Sequence, residues 1–292
     1  MLIANPIYDV VFKYLLDDNK VAKLFIGVIF GVEIVELEFK PQELSLLFSK
    51  TEENEEKSPE FKVLRMDFKA QITYPDGSSR LVLIELQKAK KDTDLMRFRK
   101  YLGAQYIDSN NIVAIEGKSV PLPIITIYFL AYHLKNFEQI PIMRVKRQYI
   151  DDFNQEVLKQ SEPFIEALSH DTIVIQLPLI KHKRRNELEE ILSIFEIENV
   201  QKFDMKFTLP EKYEEIARRL NLVLTDEQVR NGMLAQQEMI DEQENNSKAL
   251  KAALSKLKTT LQNLKKKGIS TSEIAIICDL TEEEVDKMIR VF

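Results

Sequence analysis

One cysteine, three histidines, seven glycines and no tryptophan occur in 292 residues. The lone Cys278 excludes a disulfide within the chain and a cysteine-rich zinc or iron–sulfur site. The histidines, His133, His170 and His182, are too scattered for a His-rich metal site. The glycines form neither G-x-G-x-x-G nor G-x-x-x-x-G-K, so no nucleotide-binding loop is legible. No apolar run approaches the roughly 18 residues of a membrane span. The longest in the first half, at 21–35, is interrupted by Lys23 and Glu33. The first residues lack a basic stretch followed by an apolar one, so the expectation is a cytoplasmic protein with no signal peptide and no membrane contact. An excess of positive charge is also missing. Lys and Arg number 41 against 47 Asp and Glu, leaving a net charge of −6. That excludes coating DNA by charge alone and makes any nucleic-acid contact depend on a local basic patch.

What is present is a chain of globular proportions, 45% hydrophobic and 30% charged, long enough for about two domains. Asn5-Pro6 opens a helix whose apolar residues, from Ile7 through Val10, Val11, Tyr14 and Leu15 towards Ile29, recur at helical spacing until Gly31. Alternation at 33–39 predicts a strand, and the acidic stretch 51–60 predicts a solvated loop. Residues 63–74 and 80–87 predict two strands joined by the turn Pro75-Asp76-Gly77-Ser78-Ser79. A helix is expected at 92–107. The nearly continuous β-branched and aromatic run at 121–131 predicts a buried central strand. Further strands are expected at 143–150 and 172–179, and helices near 183–197 and 211–222.

The hairpin carries the chemistry. Side chains alternate along a strand, so Asp67, Lys69 and Gln71 share one face, and Glu85 and Gln87 share one face of the partner strand. With the turn centred near Gly77, Asp67 faces Gln87 and Lys69 faces Glu85, all on the same side of the sheet. Met66, Phe68, Ala70, Ile84 and Leu86 fill the other side. Two acids on adjacent strands make an oxygen-rich cleft suited to Mg²⁺ or Mn²⁺, with the Leu86 carbonyl available as a further oxygen. The same pattern also describes an ordinary polar sheet face with a Lys69–Glu85 cross-strand pair. Segment 88–100 adds a basic patch of Lys88, Lys90, Lys91, Arg97, Arg99 and Lys100 against Asp92 and Asp94. It is either a phosphate track or a solvated helix face. A second basic run, Lys181-His182-Lys183-Arg184-Arg185, either extends that track or leads into a helix.

Several motifs occur together and in order: Asp9-Val-Val-Phe12-Lys13-Tyr-Leu15; Asp67 followed by Ile84-Glu85-Leu86-Gln87; Arg97 and Tyr101 four apart on the next helix; the strand from Pro121; and a tail with Gly268, Glu273-Ile-Ala and Leu280-Thr-Glu-Glu-Glu-Val. This arrangement resembles the PD-(D/E)xK nuclease superfamily, and within it the transposases and recombination-promoting nucleases. The resemblance implies an α/β fold with a restriction-endonuclease-like core, a central mixed sheet flanked by helices, followed by a mostly helical C-terminal region. It implies Mg²⁺- or Mn²⁺-dependent hydrolysis of DNA phosphodiesters, with Asp67 and Glu85 holding the metal. Gln87 stands where the superfamily's lysine usually stands, as it does across this family. A glutamine orients water but supplies no positive charge, so Lys69, placed beside Glu85, is the expected substitute. Asp9 is either an outer metal ligand or simply a helix N-terminal acid. Lys88, Lys90, Lys91, Arg97 and Arg99 are expected to bind DNA, and Tyr101 to contact DNA or buttress Arg97.

The last third differs in character. From Val229 to Leu264 a 4-3-4-3 spacing runs unbroken, polar in its first half and all leucine at Leu250, Leu254, Leu257, Leu261 and Leu264. It reads either as the seam of a homodimer or as one long helix packed on its own domain. Gly268 ends it, and Ser270 or Thr271 and Thr281 are expected to cap two short helices. The pair resembles a helix-turn-helix, but Glu282, Glu283 and Glu284 open its second helix. They point to packing or assembly, not to reading of DNA. The expected divisions are a nuclease core at 1–225, a heptad helix at 226–267 and a tail at 268–292. The competing functions are a nuclease fold that binds nucleic acid without cutting it, and a helical assembly protein.

Overall fold

The computed structural model describes residues 2–40, 43–48, 60–65, 67–87, 92–115, 117–160, 162–180, 184–196 and 209–290. The expected acidic loop therefore lies outside the described residues, apart from Glu60. The described chain divides into two units, Met1–Met233 and Leu234–Phe292, with the boundary inside the longest helix.

The first unit is α/β, built on a mixed six-stranded sheet. Helices α1 (Asp9–Leu16) and α2 (Asn19–Phe30) come first. The expected single helix is broken at Asp17 and Asp18 because the Asp18 side chain accepts from the Val21 N–H and starts a new one. Gly31, at φ 74°, closes α2 with its N–H on Gly27 O. Next come β1 (Glu36–Phe39), β2 (Glu43–Phe48), β3 (Glu60–Arg65), β4 (Phe68–Thr73) and β5 (Ser79–Gln87). The strand expected at 63–74 is thus two strands. β3 pairs with β2 in a separate ladder, while β4 joins the main sheet. Helix α3 (Asp92–Ile107) then carries the chain past the two-stranded ladder of β6 (Ile112–Ile115) and β7 (Lys118–Pro121) to β8 (Ile124–Leu130), parallel to β5. Strand β9 (Ile142–Val145) is followed by a small ladder of β10 (Tyr149–Ile150) and β11 (Val157–Leu158), helix α4 (Pro163–Leu168) and strand β12 (Asp171–Gln176). The sheet order is β1-β4-β5-β8-β12-β9, so the run expected to be central, β8, lies inside the sheet between two parallel neighbours.

Alternation along these strands builds two unequal cores. Phe68, Ala70, Ile72, Val82, Ile84, Ile127 and Phe129 face the main one, covered by α1, α2, α5 (Glu187–Leu192) and α6 (Glu214–Val223). Leu81, Leu83 and Ile124 face the other side. There a smaller cluster forms with Phe98 and Tyr101 of α3 and with Leu122. The acid-bearing face is this second one.

In the second unit, helix α7 (Glu227–Lys266) continues and is followed by α8 (Thr271–Cys278) and α9 (Glu282–Arg290). Ser270 and Glu273 form a capping box, and Thr281 and Glu284 exchange the same contacts, as the two expected caps require. Leu261 is buried with Ile274, Ala275 and Val285, while Leu257 and Leu264 pack partly against them. Three of the five seam leucines are therefore covered within the chain itself, whereas Leu250 and Leu254 remain exposed. Among the described residues no helix is long and apolar enough to cross a membrane.

Candidate active site

Strands β4 and β5 pair with Thr73 opposite Ser79 and Phe68 opposite Ile84. The turn is as long as expected but lies one residue earlier, spanning 74–78 and centred on Asp76, with Gly77 at φ 81°. The register is shifted by two residues relative to the sequence expectation. A shift of two keeps every side chain on its expected face but changes its neighbour. One step beyond Phe68, Asp67 falls opposite Glu85, not Gln87. Lys69 falls opposite Leu83, not Glu85.

Asp67 precedes β4 and fastens its end. Its Oδ2 accepts from the Leu86 N–H at 2.6 Å, a side chain standing where the backbone ladder would continue. Burial raises the Asp67 carboxyl well above its ordinary value of 3.8. The Glu85 carboxylate pushes it further up, the Leu86 N–H pulls it down, and Asp9 raises it again from α1 by charge and by a side-chain hydrogen bond. Asp9 also pairs with Lys13 at 2.8 Å across one helical turn. The carboxyl groups of Asp9, Asp67 and Glu85 thus converge from three separate stretches of the chain.

Glu85 is the deepest of them, with a side chain only 3% exposed. Arg97 of α3 donates from Nη2 to its Oε1 at 2.5 Å. Arg97, expected on DNA, thus meets the site acid, and the sequence cannot show this because α3 has to be docked first. Tyr101 is buried in the α3 cluster and supports that face. A second tyrosine was not expected from the sequence. Tyr128 of β8 is paired with Glu85 in register, and its ring centroid lies 4.5 Å from that of Phe98. Burial first, and then Glu85, push both tyrosine hydroxyls far above their ordinary range. They stay protonated beside Glu85. The available signal was parity, because Tyr128 and Thr126 are the polar members of the central apolar strand.

Lys69 is 3% exposed, and its ammonium lies 3.5 Å from Asp108 Oδ2, just past the end of α3. Burial lowers its pKa and Asp108 partly restores it. The expected Lys69–Glu85 juxtaposition is overturned, because the earlier turn pairs Lys69 with Leu83 and leaves its ammonium to Asp108. Gln87 pairs with Leu130 in β5, on the Glu85 face by alternation, but its side chain lies outside the described residues. Met66, Lys88, Lys90 and Lys91 also lie outside them, whereas Arg99 and Lys100 are exposed on α3. In the second basic run, Lys181, His182 and Lys183 are outside the described residues. Arg185 donates through its backbone N–H and its guanidinium to the buried Glu189, so its charge is committed within the fold.

Among the described residues no group of three or more His, Cys, Asp and Glu is arranged to hold a metal ion. A hard divalent cation such as Mg²⁺ needs fewer, since it commonly takes one or two carboxylates and completes its shell with water and substrate phosphate. Asp67 and Glu85 fit that requirement. Both are oxygen donors in a buried place, and the repulsion that raises Asp67 is what a cation between them would relieve. Asp9 stands behind Asp67, hydrogen-bonded to it. Comparison of the chain with protein-family models, curated proteins and solved structures finds no match.

Proposed function

We propose that the protein is a metal-dependent DNA endonuclease with a restriction-endonuclease-like core of the PD-(D/E)xK class, acting in transposition, recombination or defence against mobile DNA. The observation that carries this reading is the convergence of the Asp67 and Glu85 carboxyls at the end of a buried strand pair. Asp67 and Glu85 would hold Mg²⁺ or Mn²⁺, which when bound supplies an activated water and neutralises charge on the phosphate. By the resemblance, Gln87 would be the residue that orients that water. Asp9 shares a hydrogen bond with Asp67 and keeps its carboxyl aimed into the site. Arg99 and Lys100, exposed on α3, would meet the phosphate backbone, and Lys88, Lys90 and Lys91 precede them in the same basic stretch of sequence. Tyr101 and Tyr128 wall the site and exclude water from the Glu85 side. For self-association through α7, the exposed Leu250 and Leu254 are the part of the seam left free for a partner.

The test is cleavage of supercoiled plasmid at low salt with Mg²⁺ or Mn²⁺. Wild type is expected to give nicked or linear product, and Glu85→Gln is expected to leave the plasmid intact. An intact plasmid with wild type overturns the proposal. Lys69→Met is expected to retain cleavage within about fivefold, because its ammonium is engaged by Asp108 and not by the acid pair. A loss of about a hundredfold or more in that variant would return Lys69 to the chemistry.

A further inference from the structure

The Arg97–Glu85 contact is lopsided. The carboxylate end is fixed in the fold, with 3% of its side chain exposed, while the Arg97 side chain is 52% exposed. The guanidinium can leave without uncovering the core, and the carboxylate cannot follow it. Arg97 also sits one turn before the buried Tyr101 on α3, so the helix that carries it is anchored. A cation coordinated by Glu85 competes with this guanidinium for the same oxygen and repels it at close range. A released arginine, with Lys100 three residues on along the same face of α3, has a natural new partner in a phosphate, which guanidinium binds in forked geometry.

We propose that Arg97 is an exchange latch. It holds Glu85 until a divalent cation takes the carboxylate, and then transfers to a DNA phosphate. This rests on the metal site proposed above and adds a consequence which that site alone does not carry. Cation and DNA each remove the obstacle to the other, so they bind cooperatively, and by linkage each raises the affinity for the other by the same factor. Arg97 is a positioning residue for the metal ligand first and a phosphate ligand second.

The test uses the full chain and two binding measurements without turnover. Mn²⁺ affinity is read from the electron paramagnetic resonance signal of free Mn²⁺, in wild type, Arg97→Gln and Asp67→Asn. Affinity for a short duplex is read from fluorescence anisotropy with and without Ca²⁺, chosen as a cation that binds without supporting cleavage. Without DNA, Arg97→Gln is expected to bind Mn²⁺ about tenfold more tightly than wild type, within the usual range of coupling. Ca²⁺ is expected to tighten duplex binding by wild type about tenfold and by Arg97→Gln less than about twofold. A gain in metal affinity is not what misfolding produces. If wild type binds Mn²⁺ in an Asp67-dependent manner and Arg97→Gln binds it no more tightly, the latch is overturned while the metal site stands. If wild type binds Mn²⁺ no better than Asp67→Asn, the metal site and the latch both fall.

Discussion

Asp67→Asn is expected to abolish plasmid nicking and at the same time to make the protein more stable at neutral pH. The loss of activity is expected to be about 10³-fold, on the scale of removing a preorganised electrostatic contact to the reaction centre. The gain in stability follows from the environment of the carboxyl. Burial, Glu85 and Asp9 all favour its protonated form, so it takes up a proton at higher pH in the folded chain than in the unfolded one. Between those two values the folded protein holds more protons. The contribution of Asp67 to stability therefore falls as pH rises above the ordinary value of 3.8 and levels off at the folded value. Asparagine does not ionise, and its carbonyl oxygen still accepts from the Leu86 N–H. The variant should melt higher at about pH 7.5, by about 2–4 °C for each kcal/mol gained in a unit of this size. The gain should vanish near about pH 4. Differential scanning calorimetry at the two pH values, beside the plasmid assay, checks both halves. An equal or lower melting temperature at the higher pH would refute the view that Asp67 is held in an unfavourable charged state. Stability withheld at a site and regained by disabling it is the usual sign of a functional cluster.

Phe129→Ala is expected to cause the largest loss of stability among single substitutions in the first unit. Phe129 is fully buried in β8, and its ring meets those of Phe12 at 5.6 Å, Phe25 at 6.1 Å and Phe195 at 5.3 Å. One side chain thus ties the sheet to α1, to α2 and to the turn that follows α5. Truncation removes this aromatic junction and leaves a cavity, a change that typically costs about 3–5 kcal/mol. The urea midpoint should fall with an unchanged slope if the unit remains two-state. The ring lies on the main-core face, whereas the acid pair occupies the other face of the sheet. Activity per folded molecule in the cold should therefore survive. A slope that changes with the midpoint, or loss of cleavage while the protein is still folded, would show that the two faces are coupled.

Much of the local architecture was legible because its causes are local. The turn after β4 is announced by Pro75, Asp76 and Gly77, and the Asp76 side chain does accept from the Ser78 N–H. The caps at Ser270 and Thr281 need only their own third neighbours. Helix α3 follows the spacing of its residues, and the uninterrupted apolar run of β8 requires cover on both faces. The break between β3 and β4 was not legible. It depends on Asp67 reaching the Leu86 N–H on another strand. The split between α1 and α2 was hidden because the apolar period carries on across it, while the Asp18 cap that interrupts it looks like any surface acid.

The sequence by itself determined which residues share a face. Alternation put Asp67, Lys69, Glu85 and Gln87 on one side of the sheet and Phe68, Ala70, Ile84 and Leu86 on the other, whatever the register to within an even number of residues. Only the tertiary structure decided who touches whom. A turn displaced by one residue, which shifts the pairing by two, brought Asp67 to Glu85 and took Lys69 to Asp108. The docking of α3 placed Arg97 on Glu85, and the parallel pairing of β8 added Tyr128 beside it. Facing is a property of a strand's own backbone, which any window of sequence contains. Contact depends on register and on helix docking, which are set by cores that draw their residues from the whole unit.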